Sequence, residues 1–150
     1  MRLNLAAAMA VASGLALHGP AQATSPEEVL DQARSDCNGL DNGILEAGED
    51  AIVRVDVSGD GQPDEIVDAN HLSCTSARSL FCGTGGCAVT VIVDGTTTEF
   101  LAKGWQVVDF AGSPVFLLAV HGSECGGDNT RRCVIAHVWQ NDRFNSTLGN

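Results

Sequence analysis

The chain has 150 residues, a formal net charge of −11 and six cysteines. Nineteen acidic residues against eight basic ones exclude a protein that grips nucleic acid or an anionic membrane by charge, because such a surface repels phosphates. The length suits one domain with its own core.

Met1-Arg2 gives a short positive start, and Leu5 to Leu17 is an Ala- and Leu-rich run. The run is too short to span a bilayer. Gly19-Pro20 breaks it, which argues against a buried N-terminal helix. Ala21-Gln22-Ala23 then matches the small-x-small pattern of signal cleavage. Residues 1–23 are therefore expected to be a removed signal peptide. The remainder, 24–150, is expected to be a single soluble domain, periplasmic or secreted, with no membrane insertion. The first cysteine after the cleavage point is Cys37, so a lipid-anchored N-terminal cysteine is not expected. With Arg2 removed, seven basic residues face nineteen acidic ones, a charge of −12.

Ser25-Pro26-Glu27-Glu28 opens the one helix that the sequence predicts. Ser25 is a suitable N-cap, Pro26 fits the first helical position, and acids fill the first turn. Val29, Leu30 and Ala33 supply a small apolar face, and the helix should end near Asp36. Gly39 to Gly48 reads as loop. From Ala51 to Val57 apolar and polar residues alternate, with Val53, Val55 and Val57 on one face. An Asp/Gly loop follows, and Glu65 to Ala69 reads as the return strand. Ala88 to Val93 is the next strand, and Asp94-Gly95 turns it into Thr97–Ala102. Trp105–Phe110 and Val115–Val120 follow. The second of these is apolar on both faces, which predicts a central strand. Cys133–Trp139 and Arg143–Thr147, joined across Asn141-Asp142, form the last hairpin. The fold class expected is mainly β (α+β): an antiparallel sheet of about seven or eight strands with one N-terminal helix, stapled by disulfides.

An even cysteine count behind a signal peptide reads as three disulfides, for which fifteen pairings exist. Spacing suggests Cys82–Cys87 across a glycine-rich loop and Cys125–Cys133 at the base of a polar loop, leaving Cys37–Cys74. A zinc site is the alternative. The Cys82/Cys87 spacing is wider than a Cys-x2-Cys knuckle, and an exported chain oxidises its thiols. A redox role lacks its Cys-x-x-Cys motif.

The most specific chemical motif is Asp56-Val57-Ser58-Gly59-Asp60-Gly61-Gln62-Pro63-Asp64. Oxygen-bearing side chains fall at positions 1, 3, 5 and 9, with Gly at 6, the pattern by which a short loop wraps calcium. In that reading Asp56, Ser58, Asp60 and Asp64 donate side-chain oxygens and Gln62 its backbone carbonyl. Position 12 is Val67 rather than the bidentate Glu of an EF-hand, and strands rather than helices flank the loop. The bland alternative is a turn held by Asx-type hydrogen bonds with no ion.

The loop resembles the Asp-x-Asn-x-Asp-Gly-x-x-Asp hairpin loops of FG-GAP-type β-propeller proteins, with Ser58 in place of the usual Asn or Asp. One such hairpin does not make a propeller. Read together with Phe81-Cys82-Gly83-Thr84-Gly85-Gly86-Cys87 and the Val-rich strand after it, about forty residues resemble a family of small exported bacterial proteins. Their pattern is Asp-x-Asn-Gly-Asp-Gly, an apolar strand, Cys-Gly-x-Gly-Gly-Cys and a hydrophobic strand. The resemblance implies an extracytoplasmic location and supports the Cys82–Cys87 pairing. It brings no catalytic residues with it.

His121, Ser123 and Asp128 lie close in sequence, but no Gly-x-Ser-x-Gly elbow accompanies them, and a disulfide-closed polar loop explains them more simply. His71 and His137 are isolated. Glu46, Glu49 and Asp50 could serve as a glycosidase pair only with aromatic sugar platforms beside them, and the chain has two Trp and no Tyr. The expectation is thus an exported, non-enzymatic domain with a structural calcium loop that binds a protein or cell-envelope component. The alternatives are a small extracytoplasmic hydrolase, or an inhibitor of a basic secreted hydrolase such as lysozyme.

Overall fold

In the computed structural model, residues 24–128 and 130–148 are described, so the expected signal peptide lies outside them. Helix α1 (Pro26–Asn38) starts where the capping signal places it. Glu28 N donates to Ser25 Oγ at 3.3 Å, and Ser25 N donates to Glu28 Oε2 at 3.1 Å. This reciprocal capping box satisfies two otherwise orphaned amides and is worth about 1 kcal/mol. The helix buries Pro26, Ala33 and Cys37 and continues two residues past Asp36.

Strand β1 (Leu45–Ala47) lies inside the segment read as loop. It pairs antiparallel with β4 (Leu72–Cys74), Leu45 opposite Cys74. Three residues are too few for alternation to show in sequence. Between them run β2 (Ile52–Val55) and β3 (Asp64–Asp68), which form the expected hairpin with Val55 opposite Asp64.

The short strand β5 (Cys82–Gly83) turns back into β6 (Gly86–Val93), and β7 (Thr96–Ala102) returns along β6. Together β2, β3, β5, β6 and β7 make a five-stranded sheet, in which β6 also pairs with β3. Strands β8 (Gly104–Phe110), β9 (Ser113–His121), β10 (Arg132–Trp139) and β11 (Phe144–Ser146) form a four-stranded sheet in the order β11-β10-β9-β8. The doubly apolar β9 is central in it, as its sequence predicts.

The protein is mainly β, as expected, but its strands are divided between packed sheets rather than laid in one. The chain crosses from one sheet to the other at Lys103, whose N–H donates to Ala119 O at 2.7 Å. Alternation reports which residues face inward and is blind to which sheet a strand joins. Val57 of the β2–β3 loop and Ile66, Val89, Val91 and Val93 of the first sheet pack on Phe116, Leu118 and Val120 of the second. Phe100, Phe116 and Phe144 lie with ring centroids 5.3–5.7 Å apart, and Trp139 sits edge-on to Phe144 at 5.0 Å. Helix α1 covers the outer face of the first sheet through Ala33, with Ala69, Leu72 and Cys87 beneath it.

Three disulfides close: Cys37–Cys74, Cys82–Cys87 and Cys125–Cys133. The first ties the last turn of α1 to β4. The second spans the β5–β6 turn, and the third anchors the loop that precedes β10. No free cysteine remains among the described residues. Among the described residues no helix is long and apolar enough to cross a membrane.

Candidate functional site

The Asp56–Asp64 loop joins β2 to β3, and its carboxylates turn back onto its own backbone. Asp56 Oδ1 accepts from Gly59 N at 2.6 Å, and its Oδ2 accepts from Gly61 N at 3.0 Å. Asp60 Oδ1 accepts from Gln62 N at 2.7 Å. Gly59 and Gly61 adopt φ of +84° and +85°, the left-handed region that the motif's glycines permit. Ser58 Oγ reaches Asp56 Oδ1 only at 3.5 Å, and Gln62 is exposed.

Asp64 differs from the others. It is 8% exposed, and its Oδ2 accepts from both Val57 N at 2.8 Å and Ser58 N at 2.9 Å. The hairpin starts its return strand on a buried acid because that acid closes the loop. Among the described residues no three His, Cys, Asp or Glu side chains converge on a point that an ion could share. In this structure Asp56, Asp60 and Asp64 accept from the loop's own amides in an Asx-type arrangement, with Ser58 and Gln62 between them in the loop.

A second buried acid, Asp68, carries no motif in the sequence. Its Oδ2 accepts from Trp105 Nε1 at 2.8 Å, joining β3 to β8 across the two sheets, while its Oδ1 accepts from Asn70 N at 2.9 Å. The signal was available: Asp64, Ile66 and Asp68 share one face of β3, the face that carries the core.

His121 and Ser123 border one cleft, Asp128 is not in its lining, and no hydrogen bond joins the three among the described residues. His121 ends β9, and Ser123 lies in the short 3-10 turn Gly122–Cys125 that follows. Asp128 caps its own loop: its Oδ1 accepts from Thr130 N at 3.0 Å and from Thr130 Oγ1. The Thr130 hydroxyl, with that amide, holds the Asp128 carboxyl below its ordinary pKa. The turn presses so closely on this loop that a Cβ on Gly122 would overlap Asp128 O. The acid run fares similarly: Glu46 accepts from Ser73 Oγ at 3.1 Å, and Glu49 and Asp50 are exposed.

What the fold does build is a cleft of about 620 Å³ at one end of the two sheets. Its floor is Phe100, Leu118, Val120 and Ile135. Thr84 and Gly85 of the Cys82–Cys87 loop form one wall, and His121, Ser123 and Glu124 beside Cys125 form another. Glu99, Leu101 and His137 complete the lining, so among the described residues no Lys or Arg borders the cleft. His137 is half-buried and edge-on to Phe100 at 5.0 Å, and its Nδ1 is sealed from solvent without a hydrogen-bond partner among the described residues. Burial pushes its pKa down, because desolvation disfavours the imidazolium. In the sequence these residues are scattered. Only the disulfides flanking both walls hinted that they share a place.

No family model matches the chain, and no curated protein or solved structure matches it.

Proposed function

We propose that the chain is an exported, disulfide-stapled, non-enzymatic domain that binds a basic protein or a basic envelope component. The observation that carries this reading is the unneutralised acidic surface. Among the described residues only two arginines pair with carboxylates, Arg34 with Asp31 and Arg54 with Glu65 at 3.0 Å. Only Asp64 and Asp68 are buried acids there. The excess of nineteen acids over eight bases is therefore turned to solvent rather than spent inside the fold. Such a field attracts cationic partners and accelerates their encounter. Three disulfides fit an oxidising compartment.

The test is binding of the oxidised domain to lysozyme as a basic probe and to an acidic protein of similar size. Binding to lysozyme should weaken steeply between about 50 and 300 mM salt as the charges are screened, and the acidic protein should not bind. Lytic activity measured in the same samples shows whether the complex inhibits. Failure to bind lysozyme at low salt, or equal binding of the acidic protein, rejects the reading.

A further inference from the structure

Strand β7 ends beside the cleft and leaves one side open. Among the described strands it pairs with β6 alone, and Glu99, Phe100 and Leu101 from it line the cleft. An edge strand carries a row of unused N–H and C=O groups, and proteins ordinarily blunt such an edge with Lys, Pro or a bulge. The β7 sequence, Thr96-Thr97-Thr98-Glu99-Phe100-Leu101-Ala102, contains neither Lys nor Pro. Leu101 is 59% exposed there.

The surroundings of this edge are held rigid from both directions. A Cβ on Gly86 would overlap Ala102 O, so the Cys82–Cys87 loop rests directly against the end of β7. Gly122 brings the Cys125–Cys133 loop equally close to its own backbone at the opposite wall. Between them lies an apolar floor with two carboxylates, Glu99 and Glu124, at its border.

Resting on the basic-partner reading above, we propose that this cleft is the docking site for an extended segment of a basic partner protein, which adds to β7 as a further strand and places an arginine or lysine side chain between Glu99 and Glu124. Three features select this occupant. The edge supplies main-chain hydrogen bonds, the usual source of affinity in strand addition, while an adjoining pocket reads alternate side chains. The floor of Phe100, Leu118, Val120 and Ile135 takes the apolar stem of a long cationic side chain, whose head remains at the polar rim. Two carboxylates with no cationic neighbour in the described lining select a positive head group.

The probe is a blocked six-residue peptide of alternating threonine and valine with one central arginine, titrated into the full oxidised chain. Controls carry glutamate in place of the arginine or N-methyl groups on alternate amides, and n-butylammonium serves as a free amine. The arginine peptide should bind, the glutamate peptide should not, and N-methylation should weaken binding at least about ten-fold because strand pairing is blocked. Glu99→Gln with Glu124→Gln should weaken the arginine peptide about five-fold at low salt, the sum of two partly exposed ion pairs. Ser123→Arg, at an exposed position, should abolish binding by supplying the cation from within, with an unchanged melting temperature.

Equal binding of the arginine and glutamate peptides overturns the assignment. So does insensitivity to N-methylation, or butylammonium binding as tightly as the peptide. If lysozyme binds with the expected salt dependence and none of these substitutions weakens it, the cleft assignment falls while the basic-partner reading stands. If lysozyme does not bind but the arginine peptide does, the broader reading falls and the cleft remains a peptide site.

Discussion

Asp64→Ala separates a self-braced loop from an ion-held one. In the folded chain Asp64 is almost sealed, and one of its oxygens takes two amide hydrogens, from Val57 and Ser58. Val57 itself is 2% exposed, so its amide cannot turn to bulk water once the acceptor is gone. A hydrogen bond to a charged group contributes about 1.5–3 kcal/mol, and an orphaned buried donor costs about 1–3 kcal/mol. Allowing for the relief of no longer desolvating a carboxylate, Asp64→Ala should cost about 3 kcal/mol. For a domain of about 125 residues, 1 kcal/mol moves the melting temperature by about 4 °C, so the shift should be about 12 °C. Asp60→Ala removes one acceptor from the exposed amide of Gln62 and should cost about 0.5 kcal/mol, or about 2 °C. Asp64→Asn keeps an oxygen in place and should fall between the two. Differential scanning calorimetry of the oxidised proteins, with and without chelator, reads all three. The reasoning is refuted if Asp60→Ala costs as much as Asp64→Ala, since only a shared ligand would make the exposed and the buried acid equivalent.

Millimolar calcium, enough to fill a weak extracellular site, should leave the melting temperature of the metal-free protein unchanged, because the loop's acids already serve its amides. A calcium-dependent rise that Asp60→Ala abolishes would instead establish the ion. Gly122→Ala should destabilise the domain by about 2–3 kcal/mol, since the added Cβ meets backbone oxygens of Asp128 and Arg131 that no side-chain rotation can move; an unchanged denaturant midpoint would contradict the packing of that wall. His137 gives a pH dependence of defined sign. Its folded pKa lies below the unfolded value of about 6.5, so the unfolded chain binds the extra proton first. The stability it contributes is complete above that pH and is lost as pH falls toward the folded value. The melting temperature of the parent should therefore drop more between pH 7.5 and pH 5 than that of His137→Gln, and parallel slopes would remove burial as the cause. Taking the difference between the two proteins cancels the other titrating groups around the cleft, Glu99, His121 and Glu124.

Local chemistry carries a large part of this fold in plain view. Ser25 and Glu28 announce the helix start, Asp94-Gly95 the β6–β7 turn, and the doubly apolar Val115–Val120 a central strand, because each depends on neighbours within a few residues. The strands β1, β4 and β5 were not legible, since two or three residues cannot express a period. The Asp/Gly motif was legible as a loop but ambiguous as chemistry. The same acids that can wrap a cation can also accept from the amides of a tight turn, and spacing alone does not distinguish the two, whereas the inward face that Asp64 shares with Ile66 explains its burial.

The cleft was the least legible feature, for a topological reason. Thr84 and Glu124 lie forty positions apart, and they face one another only because the chain changes sheets at Lys103 and folds β9 back over β7. No period or spacing encodes that return. The two short disulfides do mark its consequence: each fixes a loop that the core does not cover, and both loops border the same opening. A cross-link between residues five or eight positions apart removes less unfolded-state entropy than one spanning a long loop. Cys37–Cys74, which closes a loop of 37 positions, is therefore the staple that matters most for stability. The short pair is better explained by the geometry of the walls it holds. Replacing Cys82 and Cys87 together by Ser should accordingly lower the melting temperature less than replacing Cys37 and Cys74, yet weaken the arginine peptide more. The reverse order in both measurements would place the short disulfide in the service of the core instead of the cleft.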